Sequence, residues 1–236
     1  MRLPIPLFLN MQYSLLHRFQ GAFLSTLIST NFKPSRREQD LIEICLLSFD
    51  DLPQQRQFLT DILTDKISQD AMILLGYFLS LILTESLSIP LCIPQSIKYL
   101  GNSPLQEPLT QIHSYLQEGI SLNQIISHLS EKNISGEIIN IVLGFYCFLS
   151  APEDFNLTLN RSNIYADKSD VKLLLLSSNS IAVILSGAYN TIAGIPLKWR
   201  LGKEDMIKQS DRLFAQWAGI YDNILTNSIP ISATGG

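Results

Sequence analysis

The sequence predicts an all-α protein, one compact multi-helix domain spanning residues 1–236. Apolar residues recur at three- and four-residue intervals along nearly the whole chain. Strict alternation, the mark of a half-buried strand, never runs beyond a few residues. No tandem repeat, low-complexity block or linker divides the chain, and 236 residues suffice for one sizeable core.

The elements follow in order. Leu16, Phe19, Phe23, Leu27 and Thr30 predict an amphipathic helix over about 13–30. Ser35 is placed to cap a second helix carrying Leu41, Ile44, Cys45 and Ser48. Asp51 caps a third, with Pro53 in its first turn and Phe58, Ile62 and Leu63 as its apolar face. Ser68-Gln-Asp-Ala starts an apolar helix to about Ser86. The stretch Ser88–Pro108 reads as loop because of Pro90, Pro94, Gly101 and Pro104. Helices follow at about 106–117, 121–131 and 135–149, then a short one after Ala151-Pro-Glu-Asp. Ser178–Gly194 predicts a central helix, with small residues Ser178, Ala182, Ser186 and Asn190 four apart, ended by Gly194 and Pro196. A last helix over 203–226 carries Leu213, Trp217, Ile220 and Ile224. Residues 1–12 and 227–236 are expected to be flexible tails.

Composition narrows the function. Apolar residues make up 46% of the chain, but charged residues only 16%, below the usual quarter. A large share of the surface is therefore expected to be buried or covered by a partner, with a homodimer as one form of this. A net charge of −4 and the lack of any Lys/Arg block argue against nucleic acid. The apolar run Ala71–Leu83 is too short to span a bilayer. Leu173–Leu197 is interrupted by Ser177, Ser178, Asn179, Ser180, Asn190 and Thr191, so no membrane partner is expected. The N-terminus lacks a small-residue cleavage site. Cys45, Cys92 and Cys147 are odd in number, far apart and set among Leu, Ile and Phe. They read as free buried thiols in a reducing, cytoplasmic setting.

Motif chemistry is sparse. HExxH, CxxC, GxSxG, GxGxxG and the phosphate-cradling GxxxxGK[ST] are all absent. His17, His113 and His128 are scattered singly. Trp199 and Trp217 read as packing residues.

Three segments carry a family resemblance. GAYNTIAGIPLKWR at 187–200 resembles the end of the ADP-ribosylglycohydrolase family, where a small-residue helix runs into an Ile-Pro-x-x-Trp tail. IINIVLGFYCFLSAPEDFNLTLNRS at 138–162 and RFQGAFLSTLIST at 18–30 resemble a later segment and the opening helix of that family. The resemblance implies an all-α fold and a binuclear Mg²⁺ site that cleaves ADP-ribose from an acceptor. Mg²⁺ takes hard oxygen ligands in near-octahedral geometry. In the family these come from Thr-Asp-Asp-Thr early and from Asp-x-Asp-Thr at the head of the small-residue helix.

At those positions the chain departs from the pattern. Ungapped alignment puts Leu174, Leu176 and Ser177 on the late Asp, Asp and Thr. Ser68-Gln69-Asp70-Ala71 falls on the early motif, so Gln69 replaces one aspartate and only Asp70 keeps a carboxylate. The acidic end of the opening helix becomes Ser29-Thr30-Asn31-Phe32-Lys33. Asp50-Asp51 is the rival early pair, better explained by helix capping. Asp167 and Asp170 reach the late site only through a register slip. The expectation is a member that has lost its magnesium site, a pseudoenzyme with no cofactor. It would bind a protein partner or an ADP-ribose-like ligand. The alternative is a Mg²⁺-dependent hydrolase of an N- or O-ADP-ribosyl bond that uses Asp70. A further alternative is a membrane-associated helical protein.

Overall fold

The computed structural model describes residues 7–30, 35–166 and 177–220, and those residues form twelve helices and no strand. The all-α expectation holds, as one compact helical domain.

Two helices far apart in sequence make the central pair: α1 (Leu7–Ser29) and α10 (Ser178–Gly194). They run antiparallel. Arg18 meets Ala188 and Tyr189 near one end, and Asn179 meets Ser29 at the other. Between these, Gly21 lies against Gly187. A Cβ on Gly21 would fall inside the Gly187 carbonyl oxygen, and one on Gly187 would strike Gly21 and Ser25. Glycine is required here because backbone meets backbone. Every residue of α10 from Ser178 to Ala188 is buried, which fits the predicted central helix.

Around this pair lie α8 (Gly136–Leu149), α9 (Phe155–Ala166) and α4 (Lys66–Leu83), all packed on α10. A side chain at Gly144 of α8 would stand 2.9 Å from the Ser178 carbonyl, so α8 also approaches closely. On the other flank, α12 (Glu204–Trp217) and α2 (Arg36–Leu47) meet α1. Phe19, Phe49, Phe214 and Trp217 gather there with ring centroids 5.1–6.2 Å apart. Gln20 Nε2 donates to Asp211 Oδ1 at 2.7 Å, tying α1 to α12. The remaining helices are α3 (Leu52–Ile62), α5 (Ile89–Leu100), α6 (Gln106–Glu118), α7 (Leu122–Glu131) and the short α11 (Leu197–Arg200).

Four boundaries differ from the sequence reading. The first helix begins at Leu7, earlier than about residue 13. Helix α4 begins at Lys66, two residues before Ser68, because Asp65 accepts from the Ser68 N–H at 2.7 Å and caps it. At 18 residues and mean hydropathy 1.4, α4 is long and apolar enough to cross a membrane, although 67% of that window is buried within the protein. The supposed loop at 88–108 contains helix α5. Pro90 sits at its start, where no N–H partner is needed, and Cys92, Ile93, Ser96 and Leu100 make its inward stripe. Helix α12 ends at Trp217, with Ala218 as its C-cap and Ile220 exposed beyond it, short of the predicted end at 226. Residues 221–236, with the tail at 227–236, lie outside the described residues, as do 1–6.

Helix α10 also breaks before Gly194. Thr191 has φ 61° and ψ 176°, a region that costs a β-branched residue. Arg18 donates to the carbonyls of Ala188 (3.4 Å) and Tyr189 (3.1 Å), and Asn190 Nδ2 donates to Pro152 O at 2.7 Å. The Arg18 bonds take up carbonyls that the broken helix leaves open, and the Asn190 bond ties the break to the turn before α9.

The Gly21–Gly187 contact makes a prediction. Gly21→Ala is expected to cost about 3 kcal/mol, since backbone on both sides blocks relief. Gly119→Ala, at φ 67° with open space around it, should cost about 1 kcal/mol from backbone strain alone. Equal losses of the two in urea denaturation would contradict the close approach.

Candidate functional site

The head of α10 is where the sequence places chemistry. The first turn of α2 and the second turn of α8 reach it through Glu38 and Asn140. Ser177 caps α10 by accepting from the Ser180 N–H at 3.0 Å. The Ser178 N–H donates to Asn140 Oδ1 on α8 at 2.8 Å. Asn179 Nδ2 donates to the Ser29 carbonyl at 2.8 Å, and its Oδ1 accepts from the Ser162 hydroxyl at 2.8 Å. Asn140, Ser162, Ser178, Asn179 and Ser180 are all buried. The head thus carries an amide-and-hydroxyl network that satisfies most of its buried polar groups, while the Ser178 hydroxyl has no partner among the described residues.

One carboxylate that the sequence did not single out faces this head. Glu38, in the first turn of α2, is 6% exposed, and its Oε1 has no hydrogen-bond partner among the described residues. Burial pushes its carboxyl above the ordinary glutamate value; the Ser180 hydroxyl and the Ser35 backbone pull the other way. At the outer edge, Asp65 raises the Glu137 carboxyl further, second to the effect of burial.

The predicted site residues separate. Asp51 is the N-cap of α3, accepting from the Gln54 N–H at 3.0 Å, as capping predicts. Its neighbour Asp50 is exposed in the turn before it. Asp70 is fully buried, its Oδ1 accepting from Lys66 Nζ at 2.7 Å and its Oδ2 unpartnered among the described residues. It stands five residues into α4, not in the first turn where a capping charge belongs, because Asp65 moves the start upstream. Gln69 donates to the Leu63 and Thr60 carbonyls and ties α4 to the end of α3. Asp167, Asp170, Leu174 and Leu176 lie outside the described residues. Among the described residues, no three His, Cys, Asp or Glu side chains gather as a metal ion requires. The described groups therefore do not make the oxygen cage that two Mg²⁺ ions need.

The three thiols are buried and free, as expected. Burial pushes Cys45 and Cys147 up to about 12 and Cys92 to about 11, which leaves them without thiolate character at neutral pH.

A second feature lies between α4 and α5. Tyr77 and Tyr99 stack with centroids 4.6 Å apart, and the Arg56 guanidinium sits 5.0 Å from the Tyr99 centroid. Tyr77 and Tyr99, with Leu81, Ser86, Gln95 and Lys98, line an open groove of about 580 Å³. Arg56 donates to the Tyr99 and Leu100 carbonyls at 3.1 and 3.0 Å, so the stack is held rigidly.

Comparison with protein-family models, with curated proteins and with solved structures gives no match.

Asn179 was legible as a polar residue inside an apolar run, but Asn140 and Glu38 were not singled out, because only the tertiary fold brings α8 and α2 to the α10 head. Its raised carboxyl sets a sign. Folding penalises the ionised form, fully above the folded pKa, and the penalty disappears as pH falls through the carboxylate range. Glu38→Gln is expected to be more stable than the parent at neutral pH, with the gain fading toward about pH 4. Thermal unfolding across that range checks it; a gain that grows on acidification would contradict the burial.

Proposed function

We propose that this chain is a non-catalytic binding or scaffold protein built on an ADP-ribosylglycohydrolase-like helical framework. The observation that carries the reading is the α10 head. Its amide and hydroxyl groups bond to Asn140, Ser29 and Ser162 of neighbouring helices, directly after positions 174 and 176, where the resemblance would put metal-binding carboxylates and this sequence has leucine. Asp70, the carboxylate retained from the early motif, spends one oxygen on Lys66, and Gln69 ties two helices together. These side chains serve the packing of the scaffold.

Binding is supported by what stays outside. Phe58 and Ile62, one turn apart on α3, are 44% and 46% exposed. They suit a covering protein partner, a second copy included. The α4–α5 groove offers a flat aromatic stack and one lysine, which suit a ligand with a ring and an anionic group, such as one of ADP-ribose type. The buried, unreactive thiols suit a cytoplasmic setting.

The reading is tested by titrating the chain with Mg²⁺ or Mn²⁺ in a calorimeter and by assaying ADP-ribose release from an ADP-ribosylated protein. No metal-binding heat and no release are expected, and Asp70→Ala is expected to behave like the parent in both assays. Metal-dependent release that Asp70→Ala abolishes would overturn the proposal and establish the hydrolase instead.

A further inference from the structure

The break at Thr191 redirects the chain into a tip on the opposite side of α10 from its head. Ile195 is fully buried and Trp199 packs toward Leu24, Val183 and their neighbours, which fixes the base of the tip. Between and beyond them, Leu197 and Leu201 project, 59% and 64% exposed, among the most exposed large apolar side chains in the described residues. Their positions are set by a single helical turn. The Trp199 N–H donates to Pro196 O at 2.9 Å and the Leu201 N–H to Leu197 O at 3.1 Å. Gly202, at φ 71°, then turns the chain back into α12.

The charges at this tip have one sign. Lys198, Arg200 and Lys203 fall within residues 197–203, which contain no Asp or Glu, in a chain of net charge −4. Lys198 is exposed, its Nζ 5.3 Å from the Trp199 ring centroid. Two exposed acids, Glu204 and Asp205, follow directly at the start of α12. Glu204 Oε1 accepts from the Gly202 N–H at 3.3 Å, and Asp205 lies 3.8 Å from Lys208. The tip thus joins protruding leucines, a tryptophan at their base and a basic fringe.

We propose that Pro196–Lys203 is a lipid-contact tip that docks the protein on an anionic bilayer surface. Leu197 and Leu201 enter the boundary between headgroups and acyl chains. Lys198 and Arg200 meet headgroup phosphates, and Trp199 lies at the interfacial level its ring favours. Charge complementarity selects the partner. Two leucines alone give marginal adhesion, and a basic fringe supplies the second signal that stable peripheral contact needs. A nucleic acid would use the charges but leave the leucines without a role. The proposal adds a lipid surface to a chain whose sequence pattern led to no membrane partner, and it stands apart from the reading of the α10 head.

The test is co-sedimentation of the full chain with phosphatidylcholine vesicles containing about one third phosphatidylserine, against phosphatidylcholine alone. Binding is expected only to the anionic vesicles and should be lost in about 0.5 M salt. Leu197→Ser combined with Leu201→Ser, and separately Lys198→Glu, should each reduce the bound fraction about tenfold. These side chains are exposed, so unfolding midpoints should stay at the parent value. No association with anionic vesicles, or binding that the leucine variant leaves unchanged, would overturn the proposal. So would light scattering in which the parent is a dimer and the leucine variant a monomer, since the tip would then belong to a second copy.

Discussion

The backbone contact between Gly21 and Gly187 constrains the rest of the molecule. Two helices that touch through carbonyl oxygens and a missing Cβ have little freedom to slide, because a shift of one residue brings a side chain into the space that only glycine leaves open. That register places Arg18 against the carbonyls of Ala188 and Tyr189 and places Asn179 against the Ser29 carbonyl. The two ends lie about 16 Å apart at the rise of an α-helix. Helices α4, α8 and α9 pack on one member of the pair and α2 and α12 reach the other, so each inherits its position from this contact.

One consequence is electrostatic. With the first turns of α2 and α10 close together, positive dipole ends accumulate there. Such a site attracts carboxylates, and Glu38 stands at it. Burial works against the same charge, which is why its carboxyl is raised. The neutral amides of Asn140 and Asn179 settle this conflict within the core. They accept from and donate to backbone without carrying charge out of water. Two buried oxygens at this head, Glu38 Oε1 and Ser178 Oγ, keep no partner among the described residues.

How much of this was legible follows from what each feature depends on. The start of helix α3 was readable because Asp51 and Pro53 act locally, through a cap and a fixed φ, but its predicted face was not: Gln55 and Leu59 are buried, and Phe58 and Ile62 are exposed. The central burial of α10 was readable from its uncharged, small-residue sequence. Helix α5 was hidden because Pro90 and Pro94 look like breakers, although the first stands where a helix needs no donor. Asp70 was misplaced by one turn because Asp65, three residues before Ser68, holds the cap. Among the candidate site residues, those with local roles were assigned, whereas Glu38 and the Asn179–Ser162 bond join segments that only the folded pair brings together.

The end of α10 shows the same dependence in its sharpest form. Gly194 and Pro196 are sufficient stop signals, yet the helix breaks earlier, at a threonine held at φ 61°. A strained β-branched residue persists only where its surroundings over-determine it. Here Arg18 holds the carbonyls on one side of the break, and Asn190 holds Pro152 O beside it. Arg18 is placed by α1, three residues before the Gly21 that sets the pair's register. The contact that closes the α10 head therefore also aims the chain beyond Thr191, and it is what makes Leu197 and Leu201 project while Ile195 stays buried. Loosening the α1–α10 pair would release both ends together, the polar head and the apolar tip.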